Sequence, residues 1–186
     1  MSFQPPAAIC LFVLIIASVL GEFGTPIKVR NCPGESPKAS LAAVYIENCS
    51  QEPCIFRKGQ NVTMEMDLEF CKLTIIIIPT LLTQLYINFE KDHFNFKAEG
   101  VQSLRAKLYA LVLGVPVLWD GINPEACQDI ISEGPRCPLS AGDYITYGVN
   151  LYVNPIYPTV TADVKYMLLD ENKRTQICWI VKASVK

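Results

Sequence analysis

Apolar and polar residues alternate along much of the chain with a period of two. In "VTMEMDLEF", Val62, Met64, Met66, Leu68 and Phe70 fall on one side, and Thr63, Glu65, Asp67 and Glu69 on the other. This is the pattern of a strand with one buried and one wet face. "YITYGVNLYV" repeats it with Ile145, Tyr147, Val149, Leu151 and Val153. "VTADVKYML" does so with Val160, Ala162, Val164, Tyr166 and Leu168, and "ICWIVKA" with Ile177, Trp179, Val181 and Ala183. "SLAAVYIE" and "SLRAKLYALVLG" are less regular but rich in strand-forming residues. Pro33-Gly34, Lys58-Gly59, Gly134-Pro135, Ala141-Gly142 and Asn154-Pro155 separate the runs, and "DENK" from Asp170 to Lys173 reads as a polar hairpin turn. Six or more short strands without a long helical period predict an all-β sandwich of two antiparallel sheets.

Two stretches break the pattern. "AAICLFVLIIASVL" (Ala7 to Leu20) is an apolar run followed closely by small residues, as in a signal peptide, although no Lys or Arg precedes it. It predicts a leader over 1–21, removed on export, and a single domain over 22–186. The second stretch, "CKLTIIIIPTLLTQLYINF", runs from Cys71 to Phe89. Its apolar core is too short for a membrane span and is broken by Pro79, threonines and Gln84.

Composition narrows the function. With 186 residues, 51% of them hydrophobic, the chain is long enough to bury a core without a metal. A formal net charge of -2 with scattered basic residues lacks the footprint of a nucleic-acid binder. There are eight cysteines, one of them (Cys10) in the leader. In an oxidising compartment the others read as bridges. Spacing suggests two short loops, Cys49 to Cys54 and Cys127 to Cys137, and a tie between the ends through Cys32 and Cys178; Cys71 is then left over. Asn61-Val62-Thr63 is a glycan acceptor triplet, and Asn48-Cys49-Ser50 a poorer one.

The residues of catalysis are sparse. His93 is the one histidine, in the polar run "EKDHF", which leaves a single base for any Ser-His-Asp or Cys-His arrangement. No CxxC pair or His cluster suggests a metal, and no glycine loop suggests a phosphate. No cofactor is expected, and the chain reads as a non-enzyme. What stands out is the apolar and aromatic content at inward positions, which suits either a packed core or a lipid cavity between the sheets.

"NCPGE", "ENCSQEPCIFRKGQNVT", "LVLGVPV", "GPRCPLSAGDYITY", "NPIYPTVTADVKYMLLDENK" and "ICW" together resemble the ML lipid-recognition family, and are most similar to its Niemann–Pick type C soluble sterol carriers. The similarity runs from about Val29 to Val185. It implies an immunoglobulin-like β-sandwich with an apolar sterol pocket between its sheets, and bridges Cys32–Cys178, Cys49–Cys54 and Cys127–Cys137. It implies lipid-binding residues at Val62, Met64, Trp119, Val153, Tyr157, Pro158, Tyr166 and Trp179. Trp119 stands where sterol carriers commonly have phenylalanine. Lys58 and Gly59 resemble a segment near the family's transfer surface.

The resemblance implies a secreted monomer, or one delivered to the lysosomal lumen, that binds and transfers one sterol or related lipid. A membrane surface or membrane protein would accept the lipid, and nucleic acid would play no part. The alternative is a module of the same fold that senses a microbial lipid, a pheromone or a fatty acid. In the family the strand ending at Phe70 turns within a few residues into the strand beginning near Leu104. Residues 71–96 are therefore an atypical insert. A genuine lineage-specific loop and translated non-coding sequence both remain open readings of it.

Overall fold

The computed structural model describes residues 24–70 and 100–186. The expected leader, the insert at 71–96, Cys71 and His93 lie outside the described residues. Within them the chain forms two sheets. The smaller contains β2 (Ser40–Ile46), β4 (Asn61–Phe70) and β7 (Asp143–Tyr152), in the order β2-β4-β7. The larger runs β1-β9-β8-β5-β6, built from β1 (Arg30–Asn31), β5 (Leu104–Val112), β6 (Val115–Leu118), β8 (Val160–Asp170) and β9 (Thr175–Val185). All these pairs are antiparallel; β3 (Cys54–Phe56) adds one short parallel contact to the end of β9. A 3-10 turn at Ala126–Asp129, between β6 and β7 in sequence, packs against β5 and β7. The result is the all-β sandwich that the strand periods predict, of the immunoglobulin-like kind that the resemblance implies.

The smaller sheet follows its sequence pattern closely. Val62, Met64, Met66, Leu68 and Phe70 of β4 are buried, as are Ile145, Tyr147, Val149 and Leu151 of β7. The alternate residues Thr63, Glu65 and Asp67 face partly to water. Thr146 donates its hydroxyl to Asp67 at 2.9 Å, and Thr63 bonds Asn150 at 3.1 Å, so the wet face is laced across strands.

The larger sheet departs from the pattern. β8 and β9 are read from sequence as one-faced strands, yet Met167, Leu169, Cys178 and Ile180 on their outer face are also buried. With Cys32 they form a second, smaller apolar cluster, against which Tyr109 and Leu111 pack. The cause is the N-terminal segment, which crosses this face and is tied to it by the Cys32–Cys178 disulfide. Lys165 bonds Glu35 at 3.0 Å and Arg30 bonds Asp163 at 2.7 Å alongside. The runs "YMLLD" and "ICWIV" carry the signal, because continuous apolar runs mark strands covered on both faces.

The Asp170 turn also differs from a solvated hairpin tip. Asp170 is only 3% exposed. Its Oδ1 accepts from the backbone N–H groups of Asn172 (2.9 Å) and Arg174 (2.8 Å). Its Oδ2 accepts from Arg174 Nε (2.7 Å) and Gln176 Nε2 (3.0 Å). Burial pushes this carboxyl up, but the backbone N–H and guanidinium of Arg174 outweigh it, and the net shift is downward.

Two further bridges, Cys49–Cys54 and Cys127–Cys137, close loops with sequence separations of 5 and 10. The separation at Cys32–Cys178 is 146. On the chain-entropy model, replacing Cys32 and Cys178 by serine is expected to cost about 5 kcal/mol, against about 2 kcal/mol for the Cys49–Cys54 pair. Guanidinium denaturation of the two double variants checks both the size and the order.

Glu35 gives a pH test. The Thr175 hydroxyl (2.7 Å) and then the Lys165 ammonium hold its carboxyl below the usual value of 4.5. A depressed folded pKa stabilises the fold above the unfolded value, and that stability is lost as pH falls through the folded one. The difference in melting temperature between the parent and Glu35→Gln is therefore expected to be largest near neutrality. It should close as the pH is lowered below 4.5, which thermal melts across that range will show.

Candidate functional site

Side chains on the inner face of the larger sheet shrink along β8 and β9. At one end Tyr166 stands opposite Trp179, and their rings stack at 5.4 Å. Next along are Val164 and Val181, then Ala162 and Ala183. On the neighbouring strand Ala110 pairs with Val164, so the small side chains adjoin across three strands. Bulky residues fill the sandwich at one end, and small ones leave it open at the other.

The open end holds a cavity of about 270 Å³. Its walls are Ala110, Val112, Val160, Ala162, Val164, Ala183 and Val185 of the sheet, with Val117 and Leu118 of β6. Trp119, Tyr157 and Pro158 close over it. Apart from the Tyr157 hydroxyl and the indole N–H of Trp119, these side chains offer no polar group. Such a lining can bury an apolar molecule and supplies neither nucleophile nor base. A wider groove of about 800 Å³ beside Tyr45 to Ser50 is polar, open to solvent and bordered by Gly24, and suits a lipid poorly.

The closing residues are held from several sides. Trp119 donates its indole N–H to the Tyr152 carbonyl at 3.2 Å. Its ring meets Tyr157 edge-on at 4.9 Å and Phe56 at 6.2 Å. The turn carrying Tyr157 is fastened by Asn154, whose carbonyl accepts from the Tyr157 N–H and whose side chain accepts from the Ile156 N–H. Lys58 reaches this loop through Thr159 at 3.0 Å, and the Gly59 N–H donates to the Val153 carbonyl at 2.7 Å. Lys58 is thus tied to the cavity's cover.

Of the residues implied by resemblance, Trp119, Tyr157 and Pro158 line the cavity. Tyr166 and Trp179 lie one inward step beyond Val164 and Val181, fully buried. Val62, Met64 and Val153 are packed in the core. Asn61 is exposed at the start of β4. The three alanines and the valines of the larger sheet were not singled out from sequence. The signal was available in "VTADVKYMLL", where inward side chains grow from Ala162 through Val164 to Tyr166, and in "CWIVKAS", where they shrink from Trp179 through Val181 to Ala183, once the two strands are set in register.

Apolar residues continue outside the cavity. Leu113 is 100% exposed at the tip of the β5–β6 hairpin, and Ile156 is 82% exposed in the loop beside Tyr157. Val115, Val117 and Leu118 are exposed between them in sequence. Among the described residues, no helix is long and apolar enough to cross a membrane, and no group of three His, Cys, Asp or Glu could hold a metal ion.

Comparison with known proteins gives consistent matches. The family model described as "ML domain" matches residues 79–185. A pig protein named NPC intracellular cholesterol transporter 2 is 23% identical over 180 residues, 97% of each chain. The ecdysteroid-regulated 16 kDa protein of Manduca sexta is 28% identical over 132 residues, 71% of this chain and 70% of that one. The crystal structure of a Niemann-Pick type C2 protein from the Japanese carpenter ant superposes with a TM-score of 0.62 at 20% identity. That superposition covers 86% of this chain and 99% of the other, and supports the sandwich fold.

Gly121 offers a test of how the cover is held. A Cβ built there would lie 2.5 Å from the Tyr152 carbonyl oxygen, the atom that anchors Trp119, and 3.1 Å from Trp119 Nε1. Gly121→Ala is expected to cost about 1–3 kcal/mol by overpacking and to alter the near-ultraviolet circular dichroism of the tryptophans. Thermal melts and spectra of the variant measure both.

Proposed function

This chain belongs to the ML-domain family, and we infer that it is a non-enzymatic carrier holding one sterol in the cavity beneath Trp119 and Tyr157. The observation that carries this reading is an almost wholly apolar cavity continuous in sequence with an exposed apolar rim. Burial of apolar area drives uptake at roughly 25 cal/mol per Å². A sterol suits such a wall because it brings a single hydroxyl. Relatives named as cholesterol transporters support the same ligand class. Ligand pockets typically run to about 300–1,000 Å³, so the 270 Å³ cavity must widen on loading. The Trp119–Tyr157 cover and the exposed β6 strand are the parts placed to move.

The rim supplies the transfer face. Leu113 and Gly114 both take positive φ, at 51° and 82°, as the two central residues of a tight hairpin. Asparagine or aspartate is favoured at the first of these positions; leucine there costs roughly 1–2 kcal/mol. An apolar residue kept in a strained and fully exposed position points to contact with a lipid surface or an apolar acceptor. In this reading residues 1–21 are an export leader and residues 22–186 act as one monomeric domain, secreted or lumenal. Its bridges suit an oxidising compartment, and exposed Asn61 is the glycan acceptor.

Titration with a fluorescent sterol, followed by transfer to lipid vesicles, tests this. The parent protein is expected to bind saturably, one sterol per chain. Ala183→Phe fills the cavity and is expected to weaken binding by about ten-fold or more without loss of fold. Leu113→Asn is expected to keep the affinity, melt at a higher temperature and deliver sterol to vesicles more slowly. A folded, fully bridged parent that takes up no sterol sinks the sterol reading. Saturable binding of a fluorescent fatty acid or of a microbial lipid would then favour a sensing module instead.

A further inference from the structure

A second cleft, of about 310 Å³, shares no lining residue with the apolar cavity. Its walls come from both sheets. Glu47 and Asn48 follow β2 and Asn61 opens β4, in the smaller sheet. Ile55 belongs to β3, which joins the larger sheet through β9, and Arg57 and Gln60 lie in the turn between β3 and β4. The Cys49–Cys54 disulfide crosses the same edge of the sandwich. The walls are fixed by backbone bonds. The Glu47 N–H donates to the Thr63 carbonyl at 2.8 Å, and the Thr63 N–H donates to the Glu47 carboxylate at 3.2 Å. The Gln60 N–H donates to the Arg57 carbonyl at 3.2 Å, and the Val153 N–H to the Gln60 carbonyl at 3.0 Å.

The lining is mixed. Ile55 offers an apolar surface, 38% exposed. Around it stand the Asn48 and Gln60 amides and the Arg57 guanidinium, whose side chains make no hydrogen bond or ion pair with another described residue. Glu47 uses Oε2 on Thr63, and its Oε1 is a further acceptor. An apolar patch ringed by amides, a guanidinium and a carboxylate suits a sugar, whose ring has an apolar C–H face and a polar rim. The volume is at the small end of ligand sites, as one pyranose ring requires. The cleft also has an occupant within reach. Val62 is buried, so strand alternation turns Asn61 outward. A sugar bonded to Asn61 Nδ2 starts at the cleft's wall, and its tether replaces the cost of free association by a high effective concentration.

We propose that this cleft seats the first N-acetylglucosamine of a glycan on Asn61, and that the seated sugar braces the edge between the two sheets. The ring's apolar face covers Ile55, the Arg57 guanidinium donates to the acetamide carbonyl, and a ring hydroxyl donates to Glu47. This rests on the glycosylation of Asn61 inferred above and is independent of the lipid carried.

The test uses protein secreted from cells that make high-mannose glycans. Mass spectrometry maps Asn61, and endoglycosidase H trims its glycan to one N-acetylglucosamine. The trimmed protein is expected to melt about 2–4 °C above Asn61→Gln. Removal of the whole glycan by peptide N-glycosidase after folding gives the same comparison without a variant. In Ile55→Ser and in Arg57→Ala the difference between the sugar-bearing form and the Asn61→Gln form should close. A merely structural role for either side chain would lower both forms alike and keep the difference. Equal melting of the trimmed protein and Asn61→Gln overturns the seat while leaving Asn61 as an acceptor. So does a difference that survives both variants. A difference that closes only in Tyr152→Ser also overturns it, because Tyr152 is the cross-strand neighbour of Asn61 on β7, outside the cleft. A bare Asn61 in the mass spectrum overturns both the seat and the acceptor.

Discussion

The Asp170 carboxylate fixes the register of the β8–β9 hairpin, and most of the molecule is arranged around that register. Four donors converge on one buried side chain: two backbone N–H groups of the turn, the Arg174 guanidinium and the Gln176 amide. A buried carboxylate without such partners would be strongly destabilising. The pairing steps from Leu168–Ile177 to Leu169–Thr175, which leaves Gln176 as the extra residue of a bulge. That bulge turns the Gln176 amide toward Asp170. A slip of one residue would break these bonds and send every inward side chain of the hairpin outward.

Both faces of the hairpin then have work set by that register. Inside, it opposes Tyr166 to Trp179 and Ala162 to Ala183, which closes one end of the sandwich and opens the other. Outside, it presents Cys178 to Cys32 and Lys165 to Glu35, which binds the N-terminal segment across the sheet. Asp163 is held by Arg30 and Lys182 on the same outer face, and its carboxyl is lowered mainly by the Arg30 hydrogen bond. The disulfide and the ion pairs thus brace the strands that form the cavity wall.

Legibility in the sequence followed the number of faces each strand exposes. β4 and β7 have one wet face, so strict alternation revealed both their existence and their orientation. β8 and β9 are covered on both sides over part of their length, and alternation named only half of their buried residues. The missing half depended on a segment some 130 residues away in sequence, as the Glu35–Lys165 bond shows. The site was harder. Trp119, Tyr157 and Pro158 were found because aromatic and turn residues stand out in a family pattern. The alanines that make the space did not stand out, since an absence of volume appears only when neighbouring strands are set in register. The Asp170 network was hidden for a related reason: a turn aspartate looks solvated until its four donors are seen to converge.

A cavity in a small sandwich carries an energetic consequence. In a packed core, empty volume costs about 24 cal/mol per Å³, which for 270 Å³ would come to about 6.5 kcal/mol. The mouth is open, so the real cost is smaller, but the walls still forgo the contacts that larger side chains would make. Two of the cross-links brace the strands that form the cavity wall. Cys32–Cys178 pins the outer face of the hairpin, and Cys49–Cys54 sits at β3, whose strand pairs with Ala183 and Val185 of the cavity wall. Lys58 and Gly59 then fasten the same end to the loop that carries Tyr157. The framework is stiff where the strands form the wall. The cover is held chiefly by one indole hydrogen bond, edge-on ring contacts and a short turn. Widening the cavity therefore needs displacement of the cover and the edge strand β6, while β5, β8 and β9 behind them keep their register.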